Sequence, residues 1–344
     1  MKYLKYILFL ILIAIIGAAI YIAVQANEFS VTRVRTIKAP ASVVYNNIID
    51  FKNWEAWSSW VEKDPNTMIT LSEKTNGIGG SYSWKDKDGI GTMKTIETVT
   101  NKSIKQQMQF ADFPPSDVNW AFELSEDGSS TEVTWNISGN NLPFIFKMFS
   151  VFMGGMEKQI GPHFERGLEK LDNIVVESMK IHSTKINGIT EYGGGFYMYK
   201  TTSASSSNIS QVMGKQYGEI MDYMTKNNIK ATGMPFTIYN DMNIENGSVI
   251  MSNAIPVMNK INFTNLTQDG EILSGYIPRI TVLKTTLKGN YTYLPEAWKK
   301  TMEHVSENNL VQSEFKPFEI YTTDPGQLPN PADWVTEIYI PIIE

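Results

Sequence analysis

Apolar and polar positions divide the chain into three stretches with different periods. From Tyr6 to Val24 the run YILFLILIAIIGAAIYIAV carries no charge and has no polar face. Its 19 residues span roughly 28 Å as an α-helix, close to the apolar thickness of a bilayer. This predicts a membrane-crossing anchor over residues 1–27, since a core helix would keep one polar face. Val24-Gln25-Ala26 offers small residues for signal cleavage, but the apolar run is longer than a signal core, so the anchor is read as uncleaved.

Residues 28–178 change to short periods. Phe29 to Lys38 alternates, with Val31, Arg33, Arg35 and Ile37 on one side and Thr32, Val34 and Thr36 on the other, which predicts a strand. Pro40 then stands at a helix start, and Val44, Ile48 and Phe51 recur at helical spacing. Downstream, β-rich runs separated by Gly79-Gly80, Asp88-Gly89 and Asp127-Gly128 predict an antiparallel meander. After Pro143, Met156, Ile160, Phe164, Leu168, Leu171 and Val175 predict one long helix with an apolar stripe, kinked at Pro162.

Residues 179–344 repeat themselves. Tyr199-Lys200-Thr201-Thr202 returns as Leu283-Lys284-Thr285-Thr286, and YGEIMDYMTKNN at 217–228 returns as WKKTMEHVSENN at 298–309. Pro235-Phe236-Thr237-Ile238-Tyr239 returns as Pro317-Phe318-Glu319-Ile320-Tyr321, and Ala254-Ile255-Pro256-Val257 as Tyr339-Ile340-Pro341-Ile342. The blocks keep their order with offsets of 84, 81, 82 and 85 residues, so each unit is read as strand, helix, strand, strand. Two such units can join about a pseudo-twofold axis and leave a groove. Period-two reasoning turns Phe318 and Ile320 toward the helices. It places Glu319, Tyr321, Glu337, Tyr339, Tyr197, Tyr199 and Tyr239 together on the opposite face, a lining suited to a cation or an aromatic ligand.

Composition narrows the chemistry. The net charge of −6 divides as +2 before residue 28, −5 over 28–178 and −3 over 179–344, so neither body is basic and nucleic acid is not an expected partner. No cysteine is present, and the three histidines (His163, His182, His304) are far apart, so no metal site is read and no cofactor is implied. Asp50, Glu55, Glu97 and His163 have no partner at a spacing that suggests catalysis. Trp54, Trp57, Trp60, Trp298 and Trp334 read as packing.

The order strand, short helix, meander and long helix, with the segment APASVVYNNIIDFKNWEAWSSW, resembles the START-like (SRPBCC) polyketide cyclase/dehydrase family. The resemblance implies a helix-grip fold over 28–178 with an apolar cavity between sheet and long helix. The pair FEIYTTDP and WVTEIYIPI in the duplicated half resembles the GyrI-like, SOUL-type domain, also met as the effector-binding domain of AraC- and MerR-type regulators. That resemblance covers 179–344. It implies binding of lipophilic, often cationic molecules against a buried glutamate, a role carried here to Glu319 with Glu337 second. Relatives that hydrolyse strained rings imply an alternative, with Glu319 as base and Tyr321 as acid. The regulators carry a helix-turn-helix domain that has no counterpart among these motifs, so direct DNA contact is not inherited.

The combined expectation is an α+β protein: a transmembrane helix, a START-like domain and a duplicated GyrI-like domain. It senses or sequesters a lipophilic small molecule at a membrane. Hydrolysis of epoxides or cyclopropanoids is the alternative, and a purely structural role would leave both grooves filled by side chains. Lys2 and Lys5 precede the apolar run and Glu28 follows it, which favours extracytoplasmic domains, although Arg33, Arg35 and Lys38 weigh against that orientation. The oligomeric state is not readable from these patterns.

Overall fold

The structure, a computed structural model, describes residues 2–111, 113–205, 207–243, 247–262 and 271–343. It divides into two compact units, Met1–Ser178 and Met179–Glu344. The first opens with α1 (Lys2–Ala23), whose segment Tyr3–Ala23 is long and apolar enough to cross a membrane and is almost wholly exposed.

After α1 come β1 (Glu28–Ile37), α2 (Ala41–Ile49) and two short helical turns, α3 (Trp54–Trp57) and α4 (Ser59–Lys63). Six strands follow as a meander: β2 (Met68–Leu71), β3 (Ser81–Lys85), β4 (Ile90–Val99), β5 (Ser103–Phe110), β6 (Ser116–Leu124) and β7 (Thr131–Asn140). The seven strands form one antiparallel sheet in the order β1-β7-β6-β5-β4-β3-β2. Two helices close the unit, α5 (Phe144–Met153) and α6 (Met156–Ser178). The chain does not run as one helix from Pro143, because Gly154 and Gly155 adopt φ of +83° and +93° and end α5. Beyond that break α6 supplies the expected stripe, burying Phe164, Leu168, Leu171 and Val175, and it continues through Pro162 to Ser178.

The inward face of β1 carries two arginines because α6 supplies their partners. Arg33 reaches Glu157 at 2.5 Å and Glu165 at 2.6 Å, and Arg35 reaches Asp172 at 2.8 Å. Between sheet and helix, the Trp135 ring stacks on Phe164 with centroids 3.7 Å apart and on Trp120 at 4.3 Å. Gly167 allows this approach: a Cβ there would lie 3.0 Å from the Trp135 ring.

The second unit contains β8 (Ser183–Tyr192), β9 (Gly195–Ser205), α7 (Ile209–Lys226), β10 (Phe236–Asn243) and β11 (Ser248–Val257). It continues with β12 (Leu273–Ile277), β13 (Ile280–Lys288), α8 (Leu294–Glu307), β14 (Val311–Gln312), β15 (Phe318–Tyr321) and β16 (Val335–Ile343). One sheet runs in the order β12-β9-β11-β10-β15-β16-β13-β8, with β14 added beside β16. The duplication is visible as β9-α7-β10-β11 and β13-α8-β15-β16. Each copy also has a leading strand that the repeat comparison misses. These strands are exchanged: β8 precedes the first copy but pairs with β13 of the second, while β12 precedes the second and pairs with β9 of the first.

The copies meet where β10 pairs with β15, in the register Phe236↔Ile320, Thr237↔Glu319 and Ile238↔Phe318. Exchanging each residue for its repeat counterpart reproduces that register, so the pseudo-twofold axis passes between Thr237 and Glu319. Helix α7 buries Ile220 and Met224 against Met198 and Ile255, and α8 buries Ala297 and Val305 against Leu283 and Ile340. Both helices lie on the same face, on either side of the axis.

Candidate ligand-binding sites

In the first unit a cavity of about 350 Å³ opens between the sheet and α6. Trp54, Trp57, Trp60, Tyr82, Trp84 and Trp135 line it with Met93, Met108, Ile160 and Phe164. The three tryptophans of the WEAWSSW segment therefore belong to the wall as well as the core. Their short helical turns place them one above another, with Trp54 and Trp57 rings 4.7 Å apart.

His163 stands at the rim, stacked on Trp60 at 4.9 Å, and the structure gives it partners that the sequence could not supply. Its Nδ1 is 3.1 Å from the Ser59 hydroxyl and its Nε2 is 3.4 Å from the Lys63 amine. Burial, then the Lys63 charge, push its pKa below the usual imidazole value, so the ring is held neutral. The Ser59 hydroxyl donates to the His163 carbonyl at 2.8 Å, and no carboxylate bonds this ring among the described residues. The group lacks the third member of a nucleophilic relay.

In the second unit the predicted site residues fall on two faces. Glu319, Tyr321 and Tyr239 lie on the helical side, while Glu337, Tyr339, Tyr197 and Tyr199 share the other with Phe318 and Ile320. This reverses the assignment expected for β15. Alternation separates faces without saying which one the helices cover, and here both are buried. Phe318 sits in a second apolar cluster with Phe236, Ile238 and Val282, away from α7 and α8.

Glu319 is 1% exposed. Trp298 Nε1 of α8 donates to its Oε1, the Tyr321 hydroxyl donates to Oε2 at 2.7 Å, and the Tyr239 side chain is a third hydrogen-bond partner. Burial raises the pKa of this carboxyl, and the three donors only partly offset the shift. Among the described residues it has no ion-pair partner. Tyr217 and Tyr291 complete the surroundings, and their hydroxyls are pushed upward by burial and by the Glu319 charge; Tyr291 reaches about 12, with Asp324 contributing. Tyr239 and Trp298 rings meet edge to face at 5.3 Å, and Tyr291 and Tyr321 at 5.5 Å.

The pseudo-twofold explains the cage. Tyr217 and Trp298 are repeat counterparts, as are Thr237 and Glu319, and Tyr239 and Tyr321. Tyr217 shares a hydrogen bond of 2.7 Å with Thr237, and Trp298 donates to Glu319 at the equivalent place in the other copy. Thr237 then donates to Asn253 at 2.8 Å, and Asn253 donates to Gln216 at 2.7 Å. Trp298 is thus a polar partner of the carboxylate rather than packing alone, and its alignment with Tyr217 was the signal available in the sequence.

Glu337 differs from Glu319. Lys284 pairs with it at 2.8 Å and Tyr339 donates to it at 2.5 Å, so its charge is already balanced. Tyr197 and Tyr199 meet at a tilt on the same face with ring centroids 5.4 Å apart, and neither touches the Glu319 cage, since they stand on the opposite side of the sheet.

Residues 28–175 match the family model described as polyketide cyclase / dehydrase and lipid transport, and residues 196–343 match that of the GyrI-like small molecule binding domain. The two matches follow one another in that order along the chain. No curated protein matches it. Among solved structures it is similar to the EcmrR C-terminal domain at 22% identity, covering 47% of this chain and 98% of that one, with a TM-score of 0.39. Protein CV1439 from Chromobacterium violaceum is similar at 14% identity over 42% of this chain and 96% of that one, with a TM-score of 0.33. SAV2435 bound to tetraphenylphosphonium is similar at 12% identity over 47% and 94%, with a TM-score of 0.34.

Proposed function

We propose that this chain is a membrane-anchored binding protein that senses or sequesters lipophilic small molecules. Uncharged ligands occupy the aromatic cavity of the first unit, and lipophilic cations bind at the Glu319 cage of the second. The observation that carries the reading is Glu319 itself, a buried carboxylate with aromatic neighbours, hydrogen-bond donors and, among the described residues, no cation of its own. A lipophilic cation supplies the missing charge, and the rings of Tyr239, Tyr321 and Trp298 offer it their electron-rich faces. The cage is closed around the carboxylate, so a ligand enters only when a donor swings aside or α7 or α8 shifts.

The 2.7 Å contact between Tyr321 and Glu319 favours one second reading, hydrolysis of a strained electrophile. Glu319 would position water and take its proton while the Tyr321 hydroxyl protonates the leaving oxygen. Both readings are tested by titrating the full chain in nanodiscs with a cationic rhodamine and a fluorogenic epoxide, wild type beside Glu319→Gln. Saturable rhodamine binding weakened at least about tenfold by the substitution, equal to about 1.4 kcal/mol, is the expected result. Epoxide turnover lost in the variant would replace it with the hydrolase reading. Equal behaviour of the two proteins would remove Glu319 from the site.

A further inference from the structure

Helix α5, FIFKMFSVFM, has no buried residue. Phe144, Ile145, Phe149, Phe152 and Met153 are 45% to 75% exposed, and their spacing gathers them into one stripe. The other side holds the helix to its unit, with Phe146 packed on Phe29 at 5.8 Å and on Phe113 at 5.2 Å. A contiguous stripe of large apolar side chains of this kind marks an interaction surface. At about 1.5 Å per residue the helix is roughly 15 Å long, half of what a bilayer crossing needs.

Its position identifies the partner. The Lys147 amine donates to the carbonyls of Ala23 at 3.3 Å and Gln25 at 3.0 Å, so α5 is fastened at the C-terminal end of α1. The outward apolar surface of α1, including Phe9, Ile16 and Ile20, thus leads to a second apolar surface at the level where α1 ends. We propose that α5 lies in the interfacial layer of the bilayer that α1 spans, with its stripe among the acyl chains and Lys147 at headgroup level. The proposal rests on the reading of α1 as a membrane anchor. It has a consequence for ligand supply, because α6 begins three residues after α5 and its residues Gln159, Ile160, His163 and Phe164 line the aromatic cavity. The cavity wall is then tied within about 10 Å of chain to a helix seated in lipid.

The chain has no cysteine, so single substitutions Ile13→Cys, Phe149→Cys, Phe152→Cys and Glu126→Cys each carry one environment-sensitive fluorophore without background labelling. The full chain is placed in phosphatidylcholine nanodiscs containing brominated acyl chains. Labels at 13, 149 and 152 are expected to lose at least half their fluorescence to bromine, and the label at 126 only to aqueous iodide. Quenching by bromine at 13 with iodide quenching at 149 and 152 overturns the proposal and leaves the anchor standing. Absence of bromine quenching at 13, 149 and 152 alike overturns the anchor and the proposal together. Protection of 149 and 152 from both quenchers shows a protein cover, such as a second copy of the chain, and also overturns it.

Discussion

A carboxyl group enclosed as Glu319 is, with donors but no cation among the described residues, costs stability when it ionises, and the sign of that cost is readable in a pH series. Its folded pKa stands above the 4.5 of an unperturbed glutamate because burial outweighs the bonds from Trp298, Tyr321 and Tyr239. Between the unfolded and folded values the native protein holds a proton that the unfolded chain has released, so stability falls as pH rises through that window and stays lowered above it. Glu319→Gln removes this titration while keeping a group that accepts and donates. The thermal midpoint of the variant should therefore gain on wild type as pH climbs from about 4.5 and level off once the native carboxyl is ionised; a difference that stays flat or shrinks with pH would contradict the account. The axis makes the single charge intelligible. A glutamate at position 237 as well would press two buried carboxylates together across the pseudo-twofold, an arrangement in which one of them stays protonated. Threonine there instead passes hydrogen bonds from Tyr217 to Asn253. Asymmetry between otherwise duplicated halves leaves one buried carboxylate beside the axis, which under the proposed function matches one ligand charge.

At the scale of elements, α6 and its wall of rings set the shape of the first cavity, and one small residue governs that shape. Gly167→Val would drive side-chain atoms into the Trp135 ring, which is already stacked between Trp120 and Phe164 and has no room to retreat except toward the cavity. Overpacking of this kind costs about 1 to 3 kcal/mol. The expected readout is a lower denaturation midpoint together with severalfold weaker uptake of the neutral probe N-phenyl-1-naphthylamine; unchanged uptake in a folded variant would show that Trp135 does not shape the cavity. Most of these elements were legible beforehand, because alternation in β1, the turn residues of the meander and the α6 stripe each repeat over many positions. The duplication was legible for the same reason. What the patterns could not supply came from places where the two faces of a strand look alike. Phe318 and Tyr321 are both large and both buried, so alternation in β15 separated them without telling which lay under the helices. The leading strands β8 and β12 leave no repeat signature because they are half-exposed, unequal in length and dissimilar in sequence. Gly154 and Gly155 signalled the break before α6, but the apolar run of α5 on their other side suggested continuity.

For the molecule as a whole, the proposed anchoring by α1 makes the side of the bilayer that receives the two domains decide which ligands they meet, and the charges around α1 give opposing instructions. For the anchor proposed above, Lys2 and Lys5 before the apolar run favour a cytoplasmic N-terminus, whereas Arg33, Arg35 and Lys38 follow it closely enough to resist translocation. In the folded protein Arg33 and Arg35 are neutralised by Glu157, Glu165 and Asp172. Those partners lie 124 to 137 residues downstream, so at insertion both arginines are still unpaired. The balance then rests on proximity. Both lysines precede the apolar run directly, and Arg33 stands nine residues beyond Val24, after the acidic Glu28. We expect the lysines to prevail and residues 28–344 to be extracytoplasmic. An alkaline phosphatase fused after Glu344 should be active and a green fluorescent protein at the same place dark, and Lys2→Glu with Lys5→Glu should shift a substantial share of the chains to the opposite pattern. A fluorescent fusion on the unaltered chain would mean that the basic cluster of β1 dominates insertion, placing both binding sites on the cytoplasmic face and limiting their ligands to molecules that have already crossed the membrane.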